Sequence, residues 1–272
     1  MRISLLLLSF LIIVNGFSQS ASSDSIESCK VNGKYFKEIA TDFPKLIISP
    51  IKWSGGEWIA AGAVLGAGAL LYTQDKVIAE WWQSNRTDAL DDANTYFFDP
   101  YGKMYYTAPL MGGLYLYGVY ADDNKSKRVA MDFVQATIYS SVVVTVIKHL
   151  AHRQRPYQTD PLNPYLWDGL STDDWGHTSF PSGHSITAFT FAAVVGTHYK
   201  ETVWVPVVAY SLAVLEGASR MYANKHWSSD VLIGSALGYA IGTFVVNQNH
   251  CKLKAMPIIS TNFTGIGFSY GL

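Results

Sequence analysis

Six long apolar segments, separated by polar stretches, dominate the hydrophobic pattern of this chain of 272 residues. They are too long for strands and lack the alternation of a half-buried strand, so the pattern predicts helices. The segments are Trp58–Tyr72, Met104–Ala121, Phe133–Ile147, Ile186–Tyr199, Thr202–Leu215 and Val231–Val246. We therefore predict an all-α fold, a six-helix bundle with a long loop between helices three and four.

Glycines recur at helical spacing in two of these segments. Gly234, Gly238 and Gly242 are four positions apart, and so are Gly62 and Gly66, which places each set on one helix face. Stripes of small residues let helices approach closely, in a membrane or in a tight bundle. Both stripes are therefore predicted to be faces of close helix packing.

The two ends of the chain differ from its apolar middle. Residues 1–20 contain an apolar run from Ile3 to Val14 that is typical of a cleaved signal peptide, with an uncleaved membrane anchor as the alternative. Residues 21–50 form a predicted polar N-terminal segment, and residues 251–272 a C-terminal tail, either extended or a short hairpin. Cys29 and Cys251 are either one disulfide or two free thiols.

Composition narrows the class of protein. Hydrophobic residues make up 49% of the chain and charged residues 15%, whereas about 25% of an ordinary soluble domain is charged. This indicates a very apolar helical protein, or one in contact with a membrane. The net charge of -1 does not favour nucleic acid as a partner. No Cys/His cluster has zinc-ligand spacing, and we expect no metal or other cofactor.

The end of the third segment carries candidate anion-binding residues. Lys148 and Arg155 are seven positions apart, about two helical turns, so they can share a face. Alternatively, these cations only offset the dipole at the end of the helix. The long connection that follows, Ala151–Ser182, is rich in Pro, Asp, Trp and Tyr, and a loop of this length is usually functional.

The start of the fourth segment reads Pro181-Ser182-Gly183-His184. Ser182 is a candidate N-cap, and Gly183 lets the backbone approach a ligand closely. The free N–H groups of this helix start can hold an anion, beside which His184 is placed for proton transfer. The alternative is an ordinary capped helix with a histidine at its start.

The last polar stretch precedes the sixth segment. Arg220 is a bidentate donor suited to phosphate. His226 and Asp230 are four positions apart and hence neighbours on a helix, where the carboxylate would fix the tautomer of the ring. The alternative is a surface ion pair. Together, the three stretches suggest a site that holds and attacks a tetrahedral oxyanion.

This constellation resembles the type 2 phosphatidic acid phosphatase superfamily, which includes bacterial acid phosphatases and vanadium haloperoxidases. The superfamily signature is K-x6-R-P, P-S-G-H and S-R-x5-H-x3-D. It is matched by Lys148-x6-Arg155-Pro156, Pro181-Ser182-Gly183-His184 and Ser219-Arg220-x5-His226-x3-Asp230. All named positions agree, in the same order, and the likeness places the catalytic domain at residues 51–250.

The resemblance implies a role for each matched residue. His226 would be the nucleophile that forms a phosphohistidine, Asp230 would orient it, and His184 would be the general acid. The phosphoryl oxygens would be held by Lys148, Arg155, Ser182, Gly183 and Arg220. Such a reaction depends mainly on positioning and charge stabilisation, so it requires no metal.

The expected function is a metal-independent phosphatase acting on a phosphomonoester or pyrophosphate, above all one linked to a lipid. The alternatives are a broad-specificity periplasmic acid phosphatase, a vanadium-dependent haloperoxidase and a non-catalytic membrane scaffold. We expect an exported protein at the periplasmic face of the cell envelope, either associated with the membrane or periplasmic. Its apolar segments of 14–18 residues are shorter than the roughly 20 that span a bilayer, which favours a bundle resting on the membrane.

Overall fold

The computed structural model describes residues 30–170, 176–250, 254–260 and 263–269. The predicted signal peptide and both cysteines lie outside the described residues, and the disulfide alternative lies outside them too. The described α-helices are α1 Gly33–Ile48, α2 Gly55–Ser84, α3 Asp88–Ala93, α4 Asp99–Gly102, α5 Thr107–Tyr120, α6 Asn124–Ala151, α7 Gly183–His198, α8 Trp204–Tyr222 and α9 Ser228–His250. Short 3-10 helices lie at Ser49–Lys52 and Pro156–Gln158, and a π-helix lies at Asn94–Phe98.

The predicted helical fold is confirmed. The six apolar segments coincide, in order, with α2, α5, α6, α7, α8 and α9. Helices α2, α6 and α9 extend beyond their apolar runs at both ends, where polar residues continue the helix. At the start of α2, for example, Ser54 and Glu57 form a reciprocal capping box, with the Ser54 N–H donating to Glu57 Oε2 at 2.7 Å.

Helix α1 was not predicted, because its segment looks polar when read as composition. Its apolar residues nevertheless recur at helical spacing and face α6, where the hydroxyl of Tyr35 donates to the Met131 carbonyl at 2.7 Å. In return, the Tyr139 hydroxyl donates to the Ile39 carbonyl at 2.7 Å. The residues on this face are Tyr35, Ile39, Phe43 and Leu46. The predicted polar segment of residues 21–50 therefore contains a packed amphipathic helix.

Helix α7 lies at the centre of the bundle and packs on α6, α8 and α9. Its contact with α9 depends on the predicted glycine stripe. A Cβ on Gly234 would lie 2.6 Å from the Ser182 carbonyl oxygen, and one on Gly242 would lie 2.7 Å from Ala193 Cβ. Gly238 packs equally closely on the Ile186 carbonyl. The prediction of close packing is confirmed here, and it brings the first turns of α7 and α9 together.

The second glycine stripe behaves differently. A Cβ added at Gly62 or Gly66 would meet no described atom within 4 Å. The prediction of close helix packing at these positions is therefore wrong for the part of the chain that the structure describes. Helical spacing identifies a face but does not identify a partner.

The long loop between α6 and α7 folds back along the end of α6. The Asp168 N–H donates to the His152 carbonyl at 2.9 Å, and the Ser179 N–H donates to the Arg153 carbonyl at 2.9 Å. Residues far along the loop are thus returned to the end of α6, next to the start of α7. After α9 the chain forms an antiparallel hairpin of β1, Lys254–Ser260, and β2, Phe263–Ser269. The hairpin is one of the two alternatives for the tail.

Among the described residues, two helices are long and apolar enough to cross a membrane. These spans are Asn124–Ala151 and Ser228–Gln248. A third would be the pair Gly33–Lys52 and Gly55–Ser84, which is bent by 95°. The length of the apolar runs therefore underestimates the helices here, since polar turns lengthen α6 and α9 beyond their apolar runs.

Candidate active site

The structure brings the three predicted stretches to one end of the bundle. Lys148 lies in the last turn of α6, Ser182 and Gly183 at the start of α7, and Asp230 in the first turn of α9. The Ser182 N–H donates to the Asp230 carbonyl at 3.1 Å. A Cβ on Gly183 would lie 3.8 Å from Lys148 Cε. The helix start with the P-S-G-H sequence is therefore next to both flanking motifs.

The ring of His226 is buried in the turn between α8 and α9, and one of its nitrogens is fixed. Nδ1 lies 2.8 Å from the carbonyl oxygen of Ser179. A carbonyl only accepts hydrogen bonds, so Nδ1 carries the hydrogen and Nε2 is left with its lone pair. Burial, together with the charges of Lys148 and Arg155, lowers the pKa of His226 to about 3, so the imidazole is neutral at pH 7.

Asp230 contacts the ring less directly than the sequence suggests. Its Oδ2 is 3.9 Å from His226 Nδ1, beyond hydrogen-bonding distance. Oδ2 instead accepts from the Ser179 hydroxyl at 2.5 Å and from the Trp227 N–H at 3.0 Å. Ser179 therefore joins the two groups, because its hydroxyl binds the carboxylate and its carbonyl binds the imidazole. Lying outside every motif, Ser179 gave no sequence signal.

Lys148 and Arg155 both reach Thr178, the residue before Ser179. The Lys148 ammonium donates to the Thr178 carbonyl, and Arg155 Nη2 donates to the Thr178 hydroxyl at 3.4 Å. Ser182 caps α7 as predicted, since its Oγ accepts from the Ser185 N–H at 3.4 Å. This arrangement places two cations beside the first N–H groups of a helix, which is a favourable setting for an anion.

Arg220 is buried and already occupied. Its Nη1 donates to Asp99 Oδ1 at 2.8 Å, and its Nη2 donates to Asn94 Oδ1 at 3.0 Å. Its Nε lies 3.1 Å from Glu216 Oε1, one turn earlier on α8. Asp99 and Asn94 belong to the segment Asp88–Gly102, which no motif singled out. Any phosphoryl group that binds Arg220 must share it with these acceptors.

His184 lies on the Arg220 side of the site. Its Nε2 is buried without a hydrogen-bond partner among the described residues, and it is 3.6 Å from Asp99 Oδ1. Burial and the charge of Arg220 lower the pKa of His184 to about 3. The charge of Arg155 lowers the pKa of both His184 and His226, so one guanidinium acts on both rings.

Gly102 packs directly against this histidine. A Cβ at Gly102 would overlap the His184 ring and the Glu216 carboxyl group. Burial raises the pKa of Glu216 to about 8, so this carboxyl group is protonated at neutral pH. Glu216 belongs to none of the three motifs, and the structure places its carboxyl group next to Gly102, on the His184 side of the site.

No group of three or more His, Cys, Asp and Glu residues that could hold a metal occurs in the part of the chain that the structure describes. The fold and the site define a helical protein in which two buried histidines and three cationic side chains gather at one end of the bundle.

Comparison with known families agrees with this class. Residues 129–253 match the family model of the PAP2 superfamily. This is the superfamily that the three sequence motifs resemble.

Curated relatives of this chain carry phosphatase names. The chain is 39% identical over 79 residues to the Lipid A 1-phosphatase of Porphyromonas gingivalis, which is 29% of this chain and 18% of that protein. It is 27% identical over 143 residues to the Undecaprenyl-diphosphatase of Sulfolobus acidocaldarius, which is 52% of this chain and 63% of that protein. The chain thus spans less than two thirds of the length of these relatives.

Two solved structures share the fold. The transmembrane PAP2 type phosphatidylglycerolphosphate phosphatase from Bacillus subtilis has a TM-score of 0.51 at 21% identity, covering 69% of this chain and 94% of that chain. Aquifex aeolicus LpxE has a TM-score of 0.51 at 24% identity, covering 64% of this chain and 94% of that chain. At these identities the likeness is one of fold.

Proposed function

We propose that the protein is a phosphatase that hydrolyses a lipid-linked phosphomonoester or pyrophosphate through a phosphohistidine at His226. The observation that carries the proposal is the hydrogen bond from His226 Nδ1 to the Ser179 carbonyl. This bond leaves the Nε2 lone pair of a neutral imidazole in a site with Lys148 and Arg155. A neutral nucleophile facing cations is the arrangement that attack on a phosphate anion requires.

In the first step, His226 Nε2 attacks phosphorus and the bond from phosphorus to the leaving oxygen breaks. His184 gives a proton to that oxygen. Because His184 is neutral in the empty site, this proton arrives with the substrate: the phosphate's negative charge raises the pKa of the imidazole, which then takes a proton from solution or from a phosphate monoanion.

In the second step, His184 is neutral and acts as the base. It takes a proton from water, whose oxygen attacks the phosphorus of the phosphohistidine, and the bond from phosphorus to Nε2 breaks. Inorganic phosphate leaves and His226 returns to its neutral form. The developing charge on the phosphoryl oxygens would be held by Lys148, Arg155, Arg220, the Ser182 hydroxyl and the Gly183 N–H.

The apolar surface supports a lipid-linked substrate. Large side chains such as Leu65, Leu70 and Val146 are more than half exposed on α2 and α6. Exposed apolar side chains of this kind mark a surface that contacts a membrane or another protein. We propose that the protein is exported, that these faces contact lipid, and that residues 51–250 act as one catalytic domain.

The test is phosphate release by the purified full-length protein from a panel of phosphates. The panel contains a phosphorylated lipid A, a polyprenyl pyrophosphate, phosphatidate and a soluble aryl phosphate. We expect release from at least one lipid substrate, none from the His226→Ala variant and severely reduced release from His184→Ala. His149→Ala is the matched control, since Nδ1 of His149 bonds to the Thr145 carbonyl of its own helix at 2.8 Å.

Wild-type release only from the aryl phosphate would favour the broad-specificity acid phosphatase. Undiminished release from His226→Ala would overturn the assignment of the nucleophile.

A further inference from the structure

Arg153 lies two positions before Arg155 in the first motif, outside the predicted phosphate-binding set. It is fully buried, with an exposed fraction of 0%. Its Nη1 donates to Asp230 Oδ1 at 2.6 Å, and its Nη2 donates to Asp75 Oδ2 at 2.7 Å. One guanidinium therefore joins the carboxylate behind His226 to a second carboxylate on α2.

Asp75 is also fully buried, and besides its bond to Arg153 it accepts hydrogen bonds from the start of α9. Its Oδ1 accepts from the Ser228 hydroxyl at 2.6 Å and from the Ser229 N–H at 3.0 Å. Its Oδ2 accepts from the Ser229 hydroxyl at 2.5 Å. A residue of α2 thus holds the turn of α9 that carries Asp230.

The guanidinium of Arg153 has no freedom to turn. Its Nε and Nη2 donate to the Pro164 carbonyl at 3.2 and 2.9 Å. The rings of Tyr72 and Trp167 lie 5.0 and 4.9 Å from its Cζ. Hydrogen bonds in the plane and aromatic rings around it fix the direction of the Nη1 bond to Asp230.

This network is a costly way to gain stability. Burying ionic groups removes their hydration, and well-packed apolar residues often stabilise a fold as much or more. Two carboxylates around one guanidinium also leave a net negative charge in the interior. Its geometry, however, suits a positioning task, because it orients Asp230 so that Oδ2 meets the Ser179 hydroxyl, whose residue in turn holds His226.

We propose that Asp75 and Arg153 are positioning residues for the reaction, acting on His226 through Asp230 and Ser179. This inference rests on the proposed function. It differs from a plain structural tie between helices, such as the buried pair of Asp132 and His198. There, Asp132 Oδ2 lies 2.8 Å from His198 Nε2 and links α6 to α7 without contacting the site.

The experiment compares Asp75→Asn with Asp132→Asn in the full-length protein. Each substitution keeps the shape of a buried carboxylate and removes its charge. For Asp75→Asn we expect kcat to fall about 10- to 100-fold, the range found for supporting partners of metal-bound histidines, with KM changed less than about twofold. For Asp132→Asn we expect a lower melting temperature and an unchanged kcat.

The pH profile gives a second readout. The charged groups facing His226 are Lys148, Arg155 and Asp230. Removing the negative charge of Asp75 from behind Asp230 makes protonation of His226 less favourable. The acid limb of kcat/KM should therefore move to lower pH in Asp75→Asn and stay in place in Asp132→Asn. Arg153→Lys keeps the positive charge but loses the forked guanidinium that binds both carboxylates. It should therefore lower kcat, with a smaller shift of the acid limb of kcat/KM than in Asp75→Asn.

The outcomes separate the two proposals. If wild-type protein releases no phosphate, or if His226→Ala remains active, the proposed function fails. If wild-type protein is active and dependent on His226, but Asp75→Asn keeps its kcat and pH profile, only the positioning role fails. Equal losses of kcat in Asp75→Asn and Asp132→Asn would also overturn it, because the network would then be an ordinary helix tie.

Discussion

Removing the hydroxyl of Ser179 tests how Asp230 acts on His226. In Ser179→Ala, the backbone carbonyl at position 179 still accepts from Nδ1 of the His226 ring. Asp230 Oδ2, however, loses the hydroxyl that donates to it at 2.5 Å. Of the groups that bind this carboxylate, the N–H of Trp227 and the guanidinium of Arg153 remain. The substitution therefore isolates the link between the carboxylate and the peptide that positions the nucleophile.

The magnitude follows from the kind of bond. A hydrogen bond to a charged group contributes about 1.5–3 kcal/mol, and Ser179 and Asp230 are both fully buried. If this energy is expressed in the transition state, where the imidazole gains positive charge, kcat/KM falls about 10- to 150-fold. The assay is initial-rate phosphate release with the lipid substrate that the panel identifies, together with the melting temperature of each variant.

Ser140→Ala is the matched control. Ser140 is a buried serine on α6 whose hydroxyl lies 2.8 Å from the Thr190 hydroxyl on α7, with no contact to the site. We expect it to lose stability and keep kcat/KM. A Ser179→Ala enzyme within twofold of wild type, or an equal loss of rate in Ser140→Ala, would refute the reasoning.

Three further predictions concern the glycines and the buried carboxyl group. Gly102→Ala should cut kcat strongly at little cost in fold, because its methyl group would displace the ring of His184; phosphate release and circular dichroism test this. Gly238→Ala should lower the melting temperature, whereas Gly62→Ala, with no neighbour within 4 Å, should raise it. The pKa of Glu216 is raised to about 8, so the protonated carboxyl group stabilises the fold fully below pH 4.5, and this stabilisation is lost as the pH rises through 8. Glu216→Gln should therefore make the melting temperature fall less over this pH range, which thermal melts at several pH values test.

The sequence predicts the helices well because their apolar faces are long. It also identifies residues that the bundle brings together at one end, since the three motifs lie at helix ends. It fails for α1, where composition hides an amphipathic face. It fails again for the packing of Gly62, because spacing along a helix says nothing about which helix lies opposite.

The supporting residues could not be predicted for a different reason. Ser179, Asp99 and Asp75 lie in no motif, and each is defined by a contact with a residue more than 45 positions away. Such contacts depend on how the long loop folds back and on how α2 packs against α9. The sequence also suggested a direct bond from Asp230 to His226, whereas the carbonyl of Ser179 takes that place in the structure.

The most direct measurement is detection of the phosphoryl group on the enzyme during turnover. The full-length protein is mixed with substrate, quenched in alkali, digested and analysed by mass spectrometry, because a phosphohistidine survives alkali and is lost in acid. Phosphate on His226, absent from His226→Ala and accumulating when His184→Ala slows the attack of water, is the expected result. Turnover without any phosphorylated histidine, or label on another residue, would contradict the account.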